Sequence, residues 1–200
     1  MTTIARNTAR ETRIRLACPA DAAAVCAIYA PYVRDTATTF DLEPPTVEEM
    51  EQKITTILEE RPFLVAEIER TDANTASTTS RVETCDDETF AVIGYSYASA
   101  FRPRKAYLHS IETSVYLAPE AKGHGLGTRL YGALEEILRL QNVYNANACV
   151  TYTEPADETC PSTSRIFHER RGYVQCAHIP NCGHKFGRWY DILWLQKQLI

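Results

Sequence analysis

A chain of 200 residues, 44% of them hydrophobic, is long enough for one well-buried core and short for two, so a single domain is expected. Its net charge of -5, an isoelectric point near 5.6 and scattered Lys and Arg exclude the basic face that a nucleic-acid partner requires. No apolar run approaches the ~20 residues of a membrane span, and the first residues lack the apolar block of a signal peptide, so the expected compartment is the cytoplasm.

Residues 1–11 are polar and read as a frayed segment, with the folded domain expected over residues 12–200. Arg13 to Leu16 reads as a first strand, and residues 20–32 as a helix with Val25, Ile28, Tyr29 and Tyr32 on one side. A second helix is expected over residues 46–58, because Thr46 is a good N-cap and Glu49 stands three residues on, where it closes a capping box. Strands at Phe63 to Ile68 and Phe90 to Phe101 flank residues 70–89, whose Thr-, Ser- and Asp-rich composition marks a polar insertion loop. Leu108, Ile111, Val115 and Leu117, set among polar residues, predict a strand with at least one buried face. Leu126, Leu130, Leu134, Ile137 and Leu138 then recur at three- and four-residue intervals, which is the stripe of an amphipathic helix. Strands at Asn147 to Tyr152, Tyr173 to His178 and Tyr190 to Leu195, with a short helix over residues 162–170, complete the order. Strands with interposed helices predict an α/β fold, a mixed central β-sheet flanked by helices.

Seven cysteines, at positions 18, 26, 85, 149, 160, 176 and 182, form no C-x-x-C pair and no Cys–His spacing of a zinc site, so no metal site is expected and most thiols are read as small buried apolar groups. Cys160 lies near His168 in sequence, but sequence neighbours rarely form a thiol–imidazole pair, and a thiol nucleophile is disfavoured.

Chemistry is concentrated between the strand ending at Leu117 and the helix opening at Leu126. Gly123, Gly125 and Gly127 leave backbone N–H groups unshielded, and the helix turns its positive N-terminal end toward them, so the turn is suited to a pyrophosphate. The spacing is neither the dinucleotide G-x-G-x-x-G nor the P-loop, which needs Lys-Ser or Lys-Thr after its glycines.

Lys122-x-x-Gly125-x-Gly127 resembles the [Q/R]-x-x-G-x-[G/A] signature of the GNAT N-acetyltransferases, with Lys in place of Arg or Gln. The resemblance implies a GNAT-like domain whose turn, Lys122, Gly123, His124, Gly125, Leu126, Gly127 and Thr128, holds the pyrophosphate of acetyl-CoA, with Val115, Tyr116 and Leu117 alongside the thioester. Within that superfamily the chain is similar to the phosphinothricin N-acetyltransferases from about Ile14 to Leu195. Ile111-Glu112-Thr113-Ser114-Val115-Tyr116 matches the family's V-E-x-[ST]-V-Y, which implies Glu112 as general base. A base is needed there because an amine that is protonated at neutral pH cannot attack a thioester; the plainer alternative is a surface glutamate at a strand edge.

Ser164-x-x-Phe167-His168-Glu169-x-x-Gly172-Tyr173 resembles S-x-x-L-H-E-x-x-G-[FY], implying that His168 acts beside Glu112 and that Ser164 contacts the cofactor. Pro161 stands where the family has an asparagine. Tyr97 to Tyr107 resembles Y-A-x-x-[WF]-[KR]-x-R-x-A-Y, implying Arg102, Arg104 and Tyr107 as substrate contacts; guanidinium forks suit carboxylate or phosphinate oxygens. Phe40 takes a substrate-wall position, although Asp41 and Leu42 replace the family's usual Arg-Thr. Gly183 to Asp191 matches G-x-K-[FH]-G-x-W-x-D, a region near the active site of members that pair as homodimers. The expected activity is acetyl transfer to a small-molecule amine, the α-amine of a small acidic amino acid or analogue. Two alternatives stand beside it: an acetyl-CoA-binding module without catalysis, and acetylation of protein or peptide amines.

Overall fold

The computed structural model describes residues 11–70 and 89–200. The segment expected to be frayed and the expected polar insertion lie outside the described residues, apart from Glu11, Arg70 and Thr89 at their borders. The elements are β1 (Thr12–Leu16), α1 (Ala22–Asp35), α2 (Val47–Leu58), β2 (Phe63–Glu69), β3 (Phe90–Ala100), β4 (Ser110–Leu117), α3 (Leu126–Leu140), β5 (Asn145–Tyr152), α4 (Thr163–Arg170), β6 (Val174–Lys185) and β7 (Arg188–Gln198). One seven-stranded mixed sheet of order β1-β2-β3-β4-β5-β7-β6 joins them, and helices cover both faces, as the alternation of elements predicts.

Local chemistry explains most boundaries. The Thr46 hydroxyl accepts from the Glu49 N–H at 3.2 Å while the Glu49 carboxylate accepts from the Thr46 N–H at 2.8 Å, which starts α2. Pro19 to Asp21 form a 3₁₀ turn, so α1 begins two residues later than its apolar stripe suggests. The largest departures are β6 and β7, which run far beyond the expected six-residue segments. Lys185 pairs with Arg188, and the two residues between them, Phe186 (φ 51°) and Gly187 (φ 73°), both take the left-handed conformation of a tight hairpin turn. The polar composition of β6, with Pro180 and register irregularities between Ile179 and Gly183, hides its continuation beyond His178 from periodicity.

Phe63, Val65, Tyr95, Tyr97 and Tyr116 stand on the face packed by α1, whose Tyr29 and Tyr32 rings meet Tyr116 edge-on at 5.0 and 5.1 Å. Leu64, Ala66 and Thr113 stand on the other face, beneath α3. Covered on both sides, β2 is buried from Phe63 to Glu67 and reads as a continuous run rather than an alternation.

One break in the sheet positions the site. All neighbouring strands pair antiparallel except β4 and β5, which are parallel and pair only at Ser110 to Glu112 with Asn145 to Asn147. Beyond Glu112 the strands part, so Thr113 to Leu117 keep β3 on one side and face an open wedge on the other.

Candidate active site

The backbone at the wedge is directional. The Ala118 N–H donates to the Ile93 carbonyl at 2.9 Å, and the alternation of an antiparallel ladder then turns the N–H groups of Ser114 and Tyr116 toward β3 and those of Val115 and Leu117 toward the wedge. The Tyr32 hydroxyl occupies the Leu117 end, donating to the Leu117 carbonyl at 2.6 Å and accepting from its N–H at 3.3 Å. The Val115 N–H faces a gap in which β5 offers no partner.

The chain leaves β4 through a 3₁₀ turn, Pro119 to Ala121, and enters the glycine turn. Gly123 and Gly125 have φ of +83° and +74°, and no heavy atom lies within 4 Å of a Cβ added to either. Their identity is therefore set by backbone conformation and not by packing, and the turn remains an open cradle at the N-terminus of α3. Gly127 differs, since a Cβ there would rest 3.4 Å from Leu117 and 3.6 Å from Phe167 in ordinary contact. Lys122 and His124 are exposed, with the Lys122 ammonium 4.6 Å from the centre of the Tyr32 ring. Beside Thr128, a cavity of about 560 Å³ is lined by Thr163, Ile166, Phe167, Arg170 and Arg171, and Arg171 donates to the Thr128 carbonyl at 3.1 Å. Buried Glu135 anchors the same region, accepting from Lys197 at 2.7 Å and Arg171 at 3.1 Å. These bonds tie α3 to β7 and to the C-cap of α4, so the cradle rests on a braced support.

Glu112 is half-buried at the point where the wedge opens, opposite Ser99 on β3 and Asn147 on β5. Burial raises its pKa above the ordinary carboxylate value, and the charges of Arg102 and Lys53 pull it part of the way back. A carboxylate tuned upward and flanked by cations suits a proton acceptor working near neutral pH. The Arg102 guanidinium lies 4.4 Å from the Phe101 ring centre and 5.6 Å from that of Trp194, and the aromatic pair fixes this exposed cation beside the wedge. Tyr107 packs edge-on against Phe101 at 5.9 Å, and Arg104 is exposed at the start of the following 3₁₀ turn. Arg102 and Glu112 are thus brought together, while Arg104 and Tyr107 stand at the outer rim.

Phe40 is seated on the backbone of Gly183, where an added Cβ would fall 2.3 Å from its ring. It packs with buried Ala37, Cys160 and Tyr190, and the Lys185 ammonium donates to the Thr39 carbonyl at 2.8 Å, so the loop after α1 is clamped onto the β6–β7 hairpin. Asp41 accepts from the Tyr29 hydroxyl at 2.7 Å.

His168 does not stand beside Glu112. It is 5% exposed on the α3 face of the sheet, with Nδ1 donating to the Ser164 carbonyl at 2.8 Å and Nε2 3.1 Å from the Tyr131 hydroxyl. That hydroxyl also meets Thr113 Oγ1, and Thr113 and Glu112, as consecutive residues of β4, point to opposite faces. Burial holds the imidazole pKa below its usual value and favours the neutral ring. The i,i+4 bond to Ser164 and the aromatic contacts with Phe167 and Tyr173 make His168 a brace between α4, α3 and β4. The family resemblance implies that it acts beside Glu112; alternation along β4 puts the two on opposite faces of the sheet.

Cys160 joins the Phe40 cluster and not His168, and burial pushes its thiol up to about 11. Cys149 keeps solvent access, but the wedge walls desolvate it and, with the Glu112 charge, push its thiol up to about 12. Both thiols stay protonated at neutral pH and are poor nucleophiles. Tyr32, Lys53 and Trp194 contribute to the site without any motif marking them; Lys53 is half-buried beside the Met50–Ile54 stripe of α2, where a single lysine carries no signal of its own.

The sequence profile of the acetyltransferase (GNAT) domain matches residues 68–194. The chain belongs to the GNAT acetyltransferases. It is 31% identical over 189 residues to the phosphinothricin N-acetyltransferase of Streptomyces coelicolor, covering 94% of this chain and 97% of that one. The L-methionine sulfoximine/L-methionine sulfone acetyltransferase of Pseudomonas aeruginosa is 32% identical over 108 residues, 54% of this chain and 59% of that enzyme. The crystal structure of a GNAT superfamily phosphinothricin acetyltransferase from Sinorhizobium meliloti in complex with AcCoA superposes with a TM-score of 0.75 at 29% identity, over 94% of this chain and 88% of the other. This GNAT protein is therefore an N-acetyltransferase built as a single domain around the mixed sheet.

Proposed function

We propose that this GNAT enzyme acetylates the α-amine of a small acidic amino acid or amino-acid analogue, of the phosphinothricin or methionine sulfone type, by direct attack of the amine on acetyl-CoA. The observation that carries the reading is Glu112, a carboxylate with a raised pKa at the opening of the β4–β5 wedge, flanked by Arg102 and Lys53. The names of the relatives support the substrate class.

The open cradle fits the donor: Gly123 to Thr128 would hold its pyrophosphate through backbone N–H groups, and the Val115 N–H faces the space into which a thioester would extend. Acetyl-CoA supplies the activated acyl group when bound. Glu112 takes one proton from the substrate ammonium, directly or through one water; as the freed lone pair forms the C–N bond to the acyl carbon, the C–S bond would break and the sulfur would leave as a thiol carrying the second proton of that nitrogen. The Val115 N–H stabilises negative charge developing on the acyl oxygen, while the Leu117 N–H is already engaged by Tyr32. The raised thiol of Cys149 argues against a covalent acetyl-enzyme. Ser164 offers a hydroxyl at the start of α4, and His168 holds Tyr131 and Thr113 in place behind the reacting strand.

A homodimer belongs to the same reading. The β6 side chains from Val174 to Cys182 are exposed, and Trp189 and Phe186 stand out at 59% and 48% exposure, a surface suited to a second copy. Sedimentation velocity measures that assembly. The activity is tested by thiol release from acetyl-CoA with L-methionine sulfone, L-methionine sulfoximine, phosphinothricin, glutamate and a short peptide as acceptors. Turnover of the peptide alone would overturn the reading.

A further inference from the structure

We infer that Lys53 is the anchor for the acceptor's α-carboxylate, a specificity-determining residue of the amino-acid site; the inference rests on the activity proposed above. Lys53 lies on α2, and its half-buried side chain crosses the sheet face to bring Nζ within 3.0 Å of the Tyr97 hydroxyl. Tyr97 pairs with Ser114, and Ser114 is two residues from Glu112 on the same face of β4, a separation of about 7 Å along the strand. Groups presented from neighbouring positions of one sheet face suit an α-amino acid, whose amine and carboxylate are attached to one carbon.

The donor count supports a ligand. An ammonium has three N–H donors, of which the Tyr97 hydroxyl takes one, and no salt bridge joins Lys53 to a carboxylate among the described residues. Its charge reaches Glu112 together with that of Arg102, so two cations from different elements face the proton acceptor. Arg102 is stacked on Phe101 and Trp194 at the outer side of the wedge, which suits it to the tail of the acceptor, while Lys53 comes from the α2 side. Asp41, the nearby acid on the loop after α1, is already held by the Tyr29 hydroxyl.

The test compares L-methionine sulfone with its α-carboxamide, two acceptors with the same uncharged tail, in the wild-type enzyme and in Lys53→Met and Lys53→Arg. Methionine keeps the length and helix propensity of the side chain without its charge. For the free acid, Lys53→Met should raise KM and lower kcat/KM by about 10- to 100-fold, the range of a hydrogen bond to a charged group, with kcat changed far less. For the carboxamide the same variant should lose far less, so the acid-to-amide ratio of kcat/KM should fall by about 10- to 100-fold, and Lys53→Arg should restore part of that ratio. Calorimetry with acetyl-CoA shows whether the variants keep the cofactor site. Equal losses for acid and amide, or an unchanged ratio between them, would overturn the assignment. Absence of turnover in the wild-type enzyme would instead strike the proposed activity itself.

Discussion

Replacing Glu112 with glutamine separates its catalytic role from its structural one, because the two respond in opposite directions. Gln keeps the volume and hydrogen-bonding capacity of the side chain but cannot take a proton from the incoming ammonium. A positioned general base is worth ~10²- to 10⁴-fold in rate, or about 3–5 kcal/mol of barrier, so kcat/KM in the thiol-release assay should fall by that factor. Cofactor affinity should hold, since the cradle lies at the far end of β4. In the wild type, kcat/KM should decline as the pH falls through the raised Glu112 pKa, and that acid limb should disappear in the variant. Stability should move the other way. A carboxyl whose folded pKa is raised by burial binds its proton more tightly in the native state, so rising pH through the unfolded and then the folded value costs native stability. Glu112→Gln removes this cost, and its melting temperature should exceed the wild type's at pH 8 and converge with it at pH 4, where both side chains are neutral. Activity within about threefold of wild type across the pH range would refute the base assignment.

Gly125→Ala places a Cβ on a residue at φ +74° with no neighbour within 4 Å, so its cost is backbone strain of ~1–2 kcal/mol and about tenfold weaker acetyl-CoA binding by calorimetry. Gly183→Ala drives a Cβ to 2.3 Å from the Phe40 ring; acceptor KM should rise while acetyl-CoA affinity is retained, and a selective loss of cofactor affinity would contradict the placement of Phe40 on the acceptor side. Because burial lowers the folded pKa of His168, its contribution is fully present above the unfolded value of about 6.5 and is lost as the pH falls further. Urea denaturation between pH 7.5 and 5 should show stability declining on acidification, and His168→Gln should flatten that slope even if its absolute stability is lower.

The sequence by itself determined every element that carries its own local signal. The Thr46–Glu49 capping box, the leucine stripe of α3 and the positive-φ glycines of the cradle act within one turn of chain, so residue types alone specify them. Glu112 was singled out differently, through its match to a family motif and not through a local physical signal, and the structure adds its half-buried position at the start of the wedge. Tertiary structure alone decided what depends on which strands pair and where pairing stops. The parting of β4 from β5 after Glu112 is a property of two segments over thirty residues apart, and it leaves the Val115 N–H facing a gap. The separation of His168 from Glu112 follows from two-residue alternation on β4 combined with packing by α3, and the approach of Lys53 to Tyr97 from the packing of α2 across β3. The full length of the β6–β7 hairpin escaped the sequence for a related reason: an exposed strand needs no apolar alternation when its partner and its two-residue turn fix the register.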